Sequence, residues 1–231
     1  MDYILEGLIN GIVLLISGDE ETYSAISTTL KVSTMSIIAS LIIGIPIGFV
    51  LGYFDFPGRR TLRTISDTLL AMPTVVVGLL VYAFISRRGP LGSLGLLFTL
   101  PGIAVGQTIL ALPVVVSLTA GAVEGLDRQL KLTLLTLGAR GRQLAISSLW
   151  EGRYAVLLAA ATAYGRVISE VGASMMLGGN IKWHTRTMTT AISLETAKGE
   201  FDMGVALGLV LMLLAFAVNA ALSAFKKRAA Q

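Results

Sequence analysis

"LTLLTLGARGRQLAISSLWEGR", residues 132–153, interrupts a chain built of membrane-length apolar runs. The run 94–121 precedes it and the run 154–179 follows it, yet the segment itself carries Gly138, Gly141 and three arginines. Leu126, Leu130, Leu134 and Leu137 fall at i, i+4, i+8 and i+11, which is one face of a helix. Asp127, Arg128 and Lys131 lie off that stripe. Gly138 and Gly141 bracket Ala139–Arg140, and the pair predicts a sharp turn with positive φ. Leu144, Ile146 and Leu149 predict a second short helix, with Trp150 at a membrane interface. The product is a helix–turn–helix projecting from a membrane. Its apolar stripe either packs back on the bundle or is laid in a partner's groove, as amphipathic helices are in peptide recognition.

Composition supports lipid as the surrounding solvent. Of 231 residues, 54% are hydrophobic and 14% charged, against about 25% charged in soluble domains. Cysteine is absent, which excludes disulfide scaffolds, thiolate metal sites and cysteine nucleophiles. His184, the one histidine, leaves no basis for a His-rich metal centre or a His-based triad. A net charge of +4 is too small to point to nucleic acid.

Crossing a bilayer core of about 30 Å takes about 20 helical residues. Five windows qualify, at 32–54, 65–85, 94–121, 154–179 and 203–225. Backbone exposed to lipid must satisfy its own hydrogen bonds, so these are helices. The expected fold is therefore all-α, a polytopic bundle of about five transmembrane helices, or six if 3–16 also crosses. The run 3–16 is short and contains Glu6 and Asn10, so residues 1–22 read as an interfacial segment. Charge bias sets the orientation. With the C-terminus inside, the inner segments hold Arg59, Arg60, Arg63, Arg128, Lys131, Arg140, Arg142, Arg153, Lys226, Lys227 and Arg228. The outer segments hold only Arg87, Arg88, Lys182, Arg186 and Lys198. The N-terminus is then expected outside, residues 122–153 form the long inner loop, and 179–202 form an outer loop.

The spans are not plain anchors. Pro46, Pro73, Pro101 and Pro113 lie within or at the edges of runs, where proline removes a hydrogen bond and kinks a helix. Gly44 and Gly48, Gly102 and Gly106, and Gly165 and Gly172 offer close helix approach. In "YGRVISEVGASMMLGGN" (164–180), Arg166 and Glu170 are four residues apart and are expected on one helix face. Charges inside a membrane cost several kcal/mol unless paired or facing water. Either these two pair with each other or with a neighbouring helix, or Arg166 lines the path of an anion while Glu170 fixes its geometry. On the second reading, Ser169 and Gly172 line the path beside them. Asp67 and Lys31 read as snorkelling or capping groups at span ends.

Leu-Gly-Ala at 137–139, about a dozen residues before the next span, resembles the "EAA" loop of ABC-transporter permeases. Aligned on Gly138, this chain has Leu132, Thr133 and Leu134 where that pattern has Glu-Ala-Ala. Ser148 to Glu151 stand where it has Ile-x-Leu-Pro. "GRVISEVGASMMLGGNI", "HTRTMTTAI", "ETAKGEFD" and "AMPTVVVGLLVYAFISRRGPLG" (71–92) resemble the permease subunits of tungstate ABC importers, and molybdate permeases are close relatives. The resemblance implies a type I ABC-importer permease fold over 1–231. It also implies a permease homodimer, a cytoplasmic ATPase pair docking on Leu130, Leu134, Leu137, Gly138, Ala139, Arg140 and Gly141, and an external oxyanion-binding protein. No G-x-x-x-x-G-K-[ST] occurs, so ATP and Mg are expected on the partner ATPase and no cofactor in this chain. The competing reading is an ion-coupled secondary transporter of a small anion. Such folds often carry two repeated halves, and no internal repeat stands out here.

Overall fold

A computed structural model describes residues 2–126 and 133–229, as helices joined by short turns with no strand among the described residues. The order is α1 (Asp2–Ser17), α2 (Glu20–Tyr53), α3 (Arg59–Leu69), α4 (Thr74–Ile85), α5 (Leu100–Glu124), α6 (Arg142–Glu151), α7 (Arg153–Ile168), α8 (Gly172–Gly178), α9 (Met188–Lys198) and α10 (Phe201–Ala229). Three helices are long and apolar enough to cross a membrane: α2, α5 and α10 over Phe201–Val218. Two bent pairs, α3 with α4 and α7 with α8, bring the crossings to five if each pair is one span.

The first long helix begins well before its apolar window. Asp19 caps it, Oδ2 accepting from Thr22 N and Thr22 Oγ1 at 2.8 Å each, and Glu20 and Glu21 favour its positive N-terminal end. Lys31 therefore lies more than two turns inside α2 rather than at its end. In lipid there is no hydrophobic drive between helices, so close packing and interhelical hydrogen bonds must hold them. Gly44, Gly48 and Gly52 supply the packing. A Cβ at Gly48 would sit 2.7 Å from Val116 O and one at Gly52 2.6 Å from Ala120 O, both on α5. Hydroxyls supply part of the bonding: Ser40 Oγ reaches Thr108 O (3.3 Å) and Thr108 Oγ1 reaches Ser36 O (3.4 Å). The buried core between α2, α5 and α7 includes Ile37, Ala111, Val115, Ala163 and Val167.

Two windows read as continuous spans are broken. The run 65–85 bends by 102° between α3 and α4. Pro73 is the cause: it lacks an N–H and disfavours helical backbone at Met72, so α4 starts afresh after it. The run 154–179 bends by 61° after Ile168. No proline is involved there. Ser169 Oγ donates back to Gly165 O (2.9 Å), and Glu170 Oε1 accepts from Ala173 N (2.9 Å), capping the new helix. The third window, 94–121, becomes helical only at Leu100, behind the Thr99 cap. Gly95 and Phe98 ahead of it hold positive φ.

Ion pairs close both ends of the bundle. Where α2 and α5 finish, Arg59 pairs with Asp55 (2.6 Å) and Glu124 (2.8 Å). Arg63 donates to Ser117 O (2.7 Å), and Ser117 donates to Asp67. Where α2 begins, Glu21 pairs with Lys182 (2.5 Å) and Arg186, and buried Glu195 pairs with Lys198 (3.0 Å). The run 3–16 forms α1 and packs on α10: a Cβ at Gly11 would lie 3.0 Å from Asp202 O, and Asn10 Nδ2 donates to Asp202 Oδ2 (3.1 Å).

Candidate functional site

The two helix breaks meet. Arg166, in the last turn of α7, donates from Nη1 to Leu70 O (3.1 Å), a carbonyl freed by the bend between α3 and α4. Its Nε is buried without a hydrogen-bond partner. A guanidinium has five N–H donors, so Arg166 is positioned by one and keeps others for a further acceptor. Gly172 belongs to the same junction. A Cβ there would sit 3.0 Å from Val75 Cγ2 and 3.3 Å from Thr74 Oγ1, which makes this glycine the close contact between the first turns of α8 and α4.

Arg166 and Glu170 do not share a helix face. The helix ends between them, and they form no ion pair among the described residues. Glu170 is instead buried, with Oε1 on Ala173 N and its backbone carbonyl accepting from Thr189 Oγ1 (2.7 Å) of α9. Ser169 is exposed at the break, its hydroxyl donating to Gly165 O and within 3.2 Å of Arg166 O. All four residues singled out in the sequence therefore gather at one junction, and the loss of a shared face comes from the Ser169–Glu170 turn. Gly165, paired with Gly172 in the sequence reading, has no atom within 4 Å of a Cβ and makes no close approach.

Gln107 is the residue that sequence reasoning missed. It is 2% exposed and lies on α5 facing the break. Its Oε1 accepts from Ser36 Oγ of α2 (2.8 Å). Its Nε2 donates to Ser174 Oγ of α8 (3.1 Å) and to Val167 O of α7 (3.4 Å). One side chain thus ties the unbroken scaffold of α2 and α5 to both halves of the broken span. The signal was present as the lone amide in the apolar run 94–121, since polar side chains within membranes are costly and face the bundle interior.

At the other end, a short helical turn at 133–136 leads into the glycine-bracketed corner. Gly138 N donates to Leu135 O and Ala139 N to Leu134 O, both at 3.0 Å. With Gly138 at φ 82 this is a Schellman cap, which ends the helix and satisfies its last carbonyls. Gly141 follows at φ 47. Leu134 is partly buried, while Leu137, Ile146 and Trp150 are 79%, 53% and 69% exposed. Ala139 is partly buried and Arg140 exposed beside them. Leu130 lies outside the described residues.

A long scaffold pair, two broken spans and an exposed apolar corner form a recognisable set. The family model for the inner membrane component of binding-protein-dependent transport systems matches residues 44–231. The chain belongs to this family. It is 47% identical over 219 residues to the tungstate uptake system permease protein TupB of Campylobacter jejuni subsp. jejuni, covering 95% of this chain and 92% of that one. It is 40% identical over 210 residues to a probable anion ABC transporter permease protein of Haloferax volcanii, covering 89% and 90%. Among solved structures, a chain of the inward-facing MetNI methionine ABC transporter superposes with a TM-score of 0.75 at 18% identity, covering 90% of this chain and 95% of that one. The fold is that of ABC-importer permeases, and the chain is a multi-pass inner membrane transport subunit. A secondary transporter working without an ATPase is not favoured by these relatives.

Proposed function

We propose that the chain carries tungstate, or molybdate, across the plasma membrane by alternating access, as one of two identical permeases in an ATP-driven importer. The observation that carries this is Arg166, a cation at the meeting point of two broken helices with a buried donor to spare. A tetrahedral oxyanion presents acceptor oxygens on every side, so a fixed guanidinium with N–H donors to spare can contact it from any approach. The buried Glu170 carboxylate is turned to Ala173 N and adds rigidity to the junction. Tungstate and molybdate have the same charge and nearly the same size, so discrimination belongs to an external binding protein that delivers the cargo. The likeness to a tungstate permease across nearly the whole chain supports this cargo.

In this reading the N-terminus lies outside and the C-terminus in the cytoplasm, in keeping with the basic bias of the inner segments. The cytoplasmic corner at 122–153 then receives force from a pair of ATPases that bind ATP and Mg. Leu134 and Leu137 enter their groove, and the Schellman turn at Gly138–Gly141 sets the angle. Closing of the ATPases tilts α6 and α7, and the breaks after Leu69 and Ile168 act as hinges that open the junction to one side or the other.

The docking step has a direct test. Leu134→Asp lowers ATPase recovered with the purified permease by a factor of about thirty, corresponding to the roughly 2 kcal/mol of a hot-spot contact. The melting temperature of the permease itself changes little, because Leu134 belongs to none of the buried core clusters among the described residues. Unaltered ATPase recovery would place the docking surface elsewhere.

A further inference from the structure

Where α4 ends the chain turns back tightly. Gly89 N donates to Ser86 O (2.8 Å) and Leu91 N to Phe84 O (2.9 Å). A Cβ at Gly89 would lie 2.2 Å from Ala83 O, and one at Gly92 2.4 Å from Ser86 O. The loop is therefore held against the helix end, and it presents Arg87 and Arg88 from a fixed base. Both are exposed, and among the described residues neither makes a side-chain hydrogen bond or an ion pair. The contrast at this end of the bundle is clear, because Lys182, Arg186 and Lys198 are all paired with Glu21 or Glu195.

The two arginines border a cleft of ≈ 650 Å³ whose other walls include Tyr82, Ile85 and Phe98. Ile85 also lines a second cavity of ≈ 370 Å³ that runs along α4 and α5 past Phe84, Leu80, Val105 and Ile109 to Met72. That groove is walled wholly by apolar side chains. The 12 residues of α4 rise about 18 Å at 1.5 Å per residue, close to the ~15 Å share of one leaflet in the hydrocarbon core. A basic mouth at the interface thus adjoins, across Ile85, an apolar groove one leaflet deep.

We propose that this cleft and groove form a binding site for an anionic phospholipid. The headgroup phosphate sits on Arg87 and Arg88, with Tyr82 and Phe98 at interfacial depth, and one acyl chain lies along Leu80, Phe84, Val105 and Ile109. Basic side chains near a membrane surface attract anionic headgroups, and in the proposed topology this pair faces the outer leaflet. A free oxyanion has no use for the groove. A second copy meeting this face about a twofold axis would bring two more arginines to it, which leaves the charge unanswered. A soluble partner could reach the arginines but not a channel at lipid depth.

The test is native mass spectrometry on the full chain with its ATPase, released from bilayers of phosphatidylglycerol or phosphatidylcholine. The wild type retains phosphatidylglycerol in preference to phosphatidylcholine. Arg87→Gln/Arg88→Gln lowers that preference about twenty-five-fold, each basic group at an anionic surface contributing about a factor of five. Val105→Trp, which fills the groove, lowers retention while leaving the permease assembled, and millimolar tungstate does not displace the lipid. Equal retention of the two lipids, or an unchanged preference in the arginine variant, overturns the proposal. Displacement by tungstate assigns the arginines to the cargo instead. Dissociation of the permeases by Val105→Trp with lipid still bound makes the groove a contact between copies.

Discussion

In an Arg166→Ala permease, uptake falls by a factor of about ten to a hundred while the complex remains assembled. The magnitude follows from the hydrogen bond that is lost. A charged donor contributes about 1.5–3 kcal/mol through a bond to an anion, while the bond from Nη1 to the Leu70 carbonyl fixes where the guanidinium stands. The same substitution removes the buried Nε donor, which is the group left for an anion. A purely structural role predicts another outcome: the variant would melt at a lower temperature but transport normally once assembled. Uptake and melting temperature measured on the same preparation separate the two. Arg166→Lys sharpens the test, because an ammonium keeps the charge but cannot address two acceptors in the fixed geometry of a guanidinium.

The second large effect is on assembly of the bundle. Gly48→Val costs about 3 kcal/mol or more, because the new side chain must occupy space already held by Val116 O and Thr119 Cβ, each 2.7 Å from its first carbon. A backbone carbonyl cannot rotate away as a flexible side chain would, so α2 and α5 must separate. Gly48→Ala already loses much of the packing. Gly165→Ala is the control: a Cβ there meets nothing within 4 Å. In helix α7 it gains up to about 1 kcal/mol from the better helix former. Thermal unfolding of the two alanine variants in detergent therefore moves in opposite directions. Equal shifts would mean that close approach at Gly48 does not hold α2 against α5.

The breaks show what a sequence conceals. Length and hydropathy place five crossings, because a bilayer demands helices of a minimum length and these runs meet it. They do not place the ends. The N-terminal third of α2 is hidden by Thr22, Thr28 and Thr29, which look like loop residues but are buried against the bundle. Pro73 announces the first break. The second has no such marker: Ser169 and Glu170 turn their side chains onto nearby backbone and do locally what proline does by covalent geometry. Arg166 and Glu170 consequently look like a helical pair and are not one. Gly138 was legible as a turn, whereas its place in a Schellman cap depends on the two hydrogen bonds that follow it. Gln107 escaped for the opposite reason, since one amide in an apolar run is easily averaged away, yet its three bonds join four helices.

On the proposed function, this permease moves an oxyanion only when an ATPase drives it. Labelled tungstate uptake into vesicles holding the permease, its ATPase pair and the loaded binding protein measures this directly. Accumulation is expected to require ATP and to disappear when the ATPase is left out. Accumulation by the permease alone, sustained by an ion gradient, would contradict it.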